Sequence, residues 1–140
     1  MEEKILIEKA ISMLSYSYAP YSGYFVGAAL LTEDGKIYTG CNIENAAFGP
    51  SNCAERTAFF KAISEGERKF TAIAIVGGPG GKTESYCAPC GVCRQVMAEF
   101  CKPDFKIIMA KNPDDFKIKT LGELLPESFN PQDEIGANKA

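Results

Sequence analysis

Apolar side chains recur at Ile7, Ala10, Ile11, Leu14 and Tyr18, three or four positions apart, which is the repeat of one helical face. The spacing predicts an amphipathic helix over 3–18, stopped by Pro20 and Gly23 in "YAPYSG". The pattern then shortens. The runs "FVGAALLT" (25–32) and "KIYTGCNI" (36–43) bracket Asp34 and Gly35, which predicts two antiparallel strands joined by a tight hairpin turn. A loop of small residues, "ENAAFGPSN", leads into "CAERTAFFKAIS" (53–64), where Ala54, Ala58, Phe59 and Ala62 restore the helical repeat until Gly66 closes it. "FTAIAIVGG" (70–78) is apolar at nearly every position, as expected of a strand covered on both faces.

The glycine-rich stretch "GGPGGKTES" (77–85) precedes a third predicted helix from about residue 90 to 101. "DFKIIMAK" (104–111) reads as a strand, "FKIKT" (116–120) as a weaker one and "LGELL" (121–125) as a short helix, before a polar tail over 131–140. The resulting order, αββαβαββα, predicts an α/β fold: one mixed five-stranded sheet with helices on both faces, in a single domain spanning 1–140. In such sheets, sites form where helix N-termini meet strand ends.

The chain has 140 residues and a net charge of −3 with no concentrated basic face, so it is not expected to bind nucleic acid. It has no apolar run long enough to span a bilayer and no signal-peptide pattern, so no membrane partner and a cytoplasmic location are expected. The partner is then a small molecule or a protein.

Histidine is absent, which removes histidine-based nucleophile systems, a histidine general base and His-rich zinc sites. Any soft metal must be held by sulfur or carboxylate oxygen. The six cysteines are an even number, but three disulfides need an oxidising compartment and a core-poor chain, and neither is indicated.

Cys87, Cys90 and Cys93 stand at intervals of three in "ESYCAPCGVCRQV". Cys90 and Cys93 share the first turn of a predicted helix behind Pro89, so one ion can be bitten by both. Cys87 lies across a proline in the loop, but its own C-x-x-C spacing keeps it in contention. A second C-x-x-C for a zinc knuckle is missing; instead "NCAERTA" places Cys53 at another helix start, with Glu55 two residues on. Three thiolates from two helix N-termini would leave one tetrahedral position for solvent, the mark of a catalytic zinc. Such a site carries a net negative charge, which the two helix N-termini and Arg56 can offset, with Arg94 as a further candidate. Competing readings stay open here: Glu55 capping its own helix with Asn52, the arginines as solvated surface charges, Cys87 as a fourth thiolate of a structural zinc, or a thiol redox pair.

The segments "YAPYSGYFVGAALLTEDGKIYTGCNIENAAFG", "NCAERTA", "PCGVCRQV" with "EF", and "ELLPESF" resemble the zinc-dependent cytidine deaminases, in their small, all-cysteine, homotetrameric branch. The resemblance runs through nearly the whole chain in order. It implies the cytidine deaminase-like three-layer fold and hydrolytic deamination of cytidine and 2′-deoxycytidine, a step of pyrimidine salvage. It implies one zinc per chain on Cys53, Cys90 and Cys93, with Cys87 outside the shell and Glu55 as proton shuttle. It also implies that Asn42 and Glu44 bind the ribose and Tyr24 faces the base. Phe129 would reach a neighbouring subunit's site, in a homotetramer with shared active sites. Tyr24 and Phe48 depart from the family pattern, which has phenylalanine and commonly tyrosine there, as does the loop carrying Cys87. Cys41 and Cys101 read as small buried residues.

Overall fold

The structure, a computed structural model, describes residues 2–131. It contains α1 (Glu2–Ser12), β1 (Tyr24–Thr32), β2 (Ile37–Cys41), α2 (Ala54–Ser64), β3 (Phe70–Pro79), α3 (Gly91–Phe100), β4 (Lys106–Asn112), β5 (Asp115–Thr120) and α4 (Leu121–Leu124). This is the expected element order. The polar tail lies, beyond Pro131, outside the described residues.

The five strands form one sheet in the order β2-β1-β3-β4-β5. Its β3–β4 pair is parallel and the other pairs are antiparallel. The parallel pair requires a crossover, and α3 supplies it between β3 and β4. Alternation along the strands divides the core. Ala28, Leu30, Ile73, Ile75, Ile107 and Met109 pack with α2 and α3, while Ala29, Leu31, Ala72, Ala74, Val76 and Ile108 pack with α1. Both faces are therefore covered, which explains why the central strands read as unbroken apolar runs.

α2 lies so close to the sheet that a Cβ on Gly40 of β2 would stand 2.4 Å from the Ala54 carbonyl oxygen and 2.6 Å from the Ala58 nitrogen. Only a residue without a side chain lets the first turn of α2, the turn that carries the catalytic candidates, rest on β2.

Two boundaries differ from expectation. The first helix ends at Ser12, and a 3-10 turn over Leu14–Tyr16 follows in place of a continuous helix to residue 18. Hydroxyls compete for the backbone there: Ser12 Oγ donates to the Lys9 carbonyl and Ser15 Oγ to the Ser12 carbonyl. Pro20 in turn excludes helix at the residue before it. Tyr18 becomes extended, with its N–H donating to the Asn42 carbonyl and its own carbonyl accepting from the Glu44 N–H. β2 stops at Cys41 because Asn42 turns its side chain onto β1. Its Oδ1 accepts from the Val26 N–H at 3.0 Å and its Nδ2 donates to the Tyr24 carbonyl at 2.7 Å.

Candidate active site

Two helix starts meet at one end of the sheet. Cys53 is the N-cap of α2 and Cys90 the N-cap of α3, both in extended backbone, and Cys93 occupies the first turn of α3. Their sulfurs converge: Cys53 to Cys90 is 3.6 Å, Cys90 to Cys93 is 3.4 Å, and all three lie within 4.8 Å of one another. Cys87 stays outside this group. All six cysteines are free thiols, so the disulfide alternative is gone.

The cluster's charge settles on Cys53. Its thiol is lowered to about 5, first by the hydrogen bond from Cys93 and then by Arg56 and Cys90, against the opposing effect of burial. Cys93, donor to Cys53 and itself buried, is pushed up. Arg56 Nη2 reaches Cys53 Sγ at 3.4 Å, and its Nε is buried without a partner. Arg94 does something else. Its Nε donates to the Pro89 carbonyl and its Nη1 to the Leu124 carbonyl, both at 2.8 Å, which ties the start of α3 to α4.

Glu55 sits in the first turn of α2 and is 3% exposed. Burial raises its carboxyl to about 7, and the charge on Cys53 adds to the effect. It does not form the capping box: the N-cap is Cys53, with no side-chain cap, and Asn52 Nδ2 donates to Thr57 Oγ1 at 3.2 Å.

A cavity of about 570 Å³, within the range of small-molecule sites, opens beside these groups. Cys53, Cys90 and Glu55 line it together with Arg56, Asn42, Glu44, Tyr24 and Phe48. Asn42 is locked by the two hydrogen bonds to β1. Glu44 accepts from the Tyr21 and Ser22 backbone N–H groups at 3.0 and 3.1 Å and from the Ser22 hydroxyl, so it is a fixed, half-buried carboxylate. Phe129 does not line the cavity of its own chain; it is 62% exposed, and its carbonyl accepts from Gln95 Nε2 at 2.7 Å. Sequence reasoning passed over Tyr86, which also lines the cavity. Its hydroxyl donates to Asp115 Oδ1 at 2.5 Å and its ring lies under the ammonium groups of Lys111 and Lys117. An aromatic residue beside Cys87 was the only available signal.

Comparison with known proteins accounts for this arrangement. A family model described as the cytidine and deoxycytidylate deaminase zinc-binding region matches residues 1–109. The chain belongs to the cytidine deaminase family. Over 133 residues it is 47% identical to the cytidine deaminase of Sporosarcina psychrophila, covering 95% of each chain. It is 48% identical to that of Halalkalibacterium halodurans over 133 residues, 95% of this chain and 98% of the relative. Its fold matches the crystal structure of cytidine deaminase from Burkholderia pseudomallei with a TM-score of 0.82 at 48% identity, over 89% of this chain and 97% of that one. The Mycobacterium tuberculosis cytidine deaminase structure matches with a TM-score of 0.78 at 36% identity, over 92% and 98% of the two chains. Zinc is the cofactor of this deaminase family, and the donor set here fits it. Tetrahedral thiolate coordination places sulfurs roughly 3.8 Å apart, close to the two spacings above. No described helix is long and apolar enough to cross a membrane.

Proposed function

We propose that the chain hydrolyses cytidine and 2′-deoxycytidine to uridine and 2′-deoxyuridine, releasing ammonia. The observation that carries this reading is a buried carboxyl, Glu55, lining the same cavity as the convergent thiols of Cys53 and Cys90. Cys53, Cys90 and Cys93 would hold the zinc, which would supply the Lewis acidity that makes water nucleophilic toward C4 of the pyrimidine.

Glu55 moves the protons. As carboxylate it accepts the proton that the attacking water loses, passes one to ring N3, and later delivers one to the departing amino group. Its burial favours such traffic, since a carboxyl poised near neutrality both takes and gives protons at physiological pH. Arg56 draws negative charge from Cys53, and the N-termini of α2 and α3 add positive potential at the same sulfurs. Asn42 and Glu44 bind the sugar hydroxyls. Each is already held by backbone groups, so little freedom is lost when a nucleoside arrives. Tyr24 offers an aromatic face to the base.

The chain acts as one domain in a homotetramer with shared sites, in which Phe129 enters a neighbour's cavity. Its exposure and its absence from its own chain's cavity support that role. The reaction serves pyrimidine salvage in the cytoplasm.

Ultraviolet monitoring of cytidine tests the proposal. Turnover is expected to disappear with a zinc chelator and return with added zinc, and free cytosine, lacking the sugar that Asn42 and Glu44 hold, is expected to be a poor substrate. Undiminished turnover by protein shown to be free of metal overturns the reading.

A further inference from the structure

One wall of the cavity runs straight into the cysteine cluster without the support of a helix or strand. Tyr86, Cys87 and Ala88 line it from the segment between β3 and α3, and residues 82–90 there are neither helix nor strand. Side chains on such a segment keep one position against a ligand only if something outside the segment holds them.

The β4–β5 hairpin does this. Its ladder pairs Ala110 with Phe116 and Asn112 with Asp115, so two steps along β4 match one along β5, and Lys111 is the extra residue of a β-bulge. Left out of the ladder, Lys111 serves the loop. Its carbonyl accepts from Thr83 Oγ1 at 2.7 Å, and its ammonium lies 4.7 Å from the centre of the Tyr86 ring. Lys117 brings a second ammonium to 5.0 Å from the same ring, so both are within cation–π range. The Tyr86 hydroxyl donates to Asp115 Oδ1 at 2.5 Å, and Asp115 Oδ2 stands 3.8 Å from the Lys111 ammonium. A hydrogen bond to a carboxylate is stronger than one between neutral groups. Tyr86 therefore joins the cavity to three charged side chains of the hairpin, none of which lines the cavity itself.

We propose that Tyr86 is a positioning residue for the nucleoside: anchored through its hydroxyl to Asp115 and through its ring to Lys111 and Lys117, it holds the wall of Tyr86, Cys87 and Ala88 in the shape that binds substrate. The proposal rests on the deaminase reading for its substrate, and it makes a hairpin that carries no reacting group a determinant of affinity. Without the anchor, binding has to order the wall and is weakened by that cost. Glu55 and the three thiols, carried by the starts of α2 and α3, stay in place.

Steady-state kinetics of Tyr86→Phe, Asp115→Ala and the double variant provide the test, with zinc content measured for each. Loss of this hydrogen bond predicts a KM for cytidine raised about 3- to 10-fold in each single variant, with kcat within about twofold. The double variant should be no worse than the poorer single one, because both substitutions remove the same contact. Asp115→Asn, which keeps an oxygen acceptor, should recover most of the loss. An unchanged KM, KM increases that multiply in the double variant, or a fall in kcat at constant KM each overturns the proposal. A second readout needs no substrate. Cys87 is only 8% exposed, so its alkylation by iodoacetamide in the zinc-loaded protein, located by peptide mass spectrometry, reports how firmly the wall is held. It should be about threefold faster or more in Tyr86→Phe and Asp115→Ala, since a loosened segment opens more often. An unchanged rate refutes the anchor, whereas faster alkylation in a protein that does not turn over cytidine refutes only the deaminase reading.

Discussion

Glu55 is the only carboxylate among the described residues that the fold buries. An ionised carboxylate is costly to bury, and this one has no ion-pair partner among the described salt bridges. Such a placement fits the proton-transfer role proposed for it. Glu55→Gln keeps the shape and removes the proposed proton relay. It is expected to retain fold and zinc while losing about 10²- to 10⁴-fold in turnover, the usual contribution of general acid–base catalysis; measured kcat with metal analysis checks both halves. In the sequence, Glu55 gained weight only from the cysteines around it, since a helix-capping role was equally consistent with its spacing. Cys90 and Cys93 were legible from helical spacing, but the choice against Cys87 needed the family resemblance and then the sulfur positions. Asn42 shows the opposite limit. No pattern in "GCNIEN" reveals that an amide will complete a strand ladder with both of its ends.

α2 carries Cys53, Glu55 and Arg56 on its first turn, and that turn rests on Gly40. A methyl group there collides with backbone that cannot rotate away. Gly40→Ala is therefore expected to cost about 1–3 kcal/mol, a fall of roughly 3–12 °C in Tm for a chain of this size. Zinc occupancy should fall with it, because the displaced helix carries one sulfur away from two others; thermal melts and metal analysis decide this. The central strands and α2 were readable because their apolar repeats are long and cleanly bounded. The first helix was overextended because Leu14 and Tyr18 continue the three-to-four repeat, while the serines and Pro20 that end it act through backbone competition that the repeat does not register. β5 read as weak because it is an edge strand: Ile118 is 39% exposed, and Lys117 and Lys119 flank it.

The sheet order was beyond sequence reasoning. Nothing local distinguishes β3 as the strand that pairs antiparallel with β1 on one side and parallel with β4 on the other. The proposed assembly between chains is less visible still, and Phe129 offers the way to test it. If its ring completes a neighbour's site, Phe129→Ala should lose up to about tenfold in kcat/KM, the value of a good aromatic contact. Subunits of that variant mixed and reassembled with Glu55→Gln subunits should then exceed the summed activity of the separate proteins, since some sites regain both groups. Activity equal to the sum would leave Phe129 on its own chain. The sulfur cluster adds a consequence for how the molecule comes together. Cys53 and Cys90 stand 37 positions apart, with all of β3 between them. In an unfolded chain Cys53 can join Cys90 and Cys93 only by closing that whole loop, so an ion held by all three sulfurs would act as a clasp on the finished sheet and would return part of its affinity as stability of the fold.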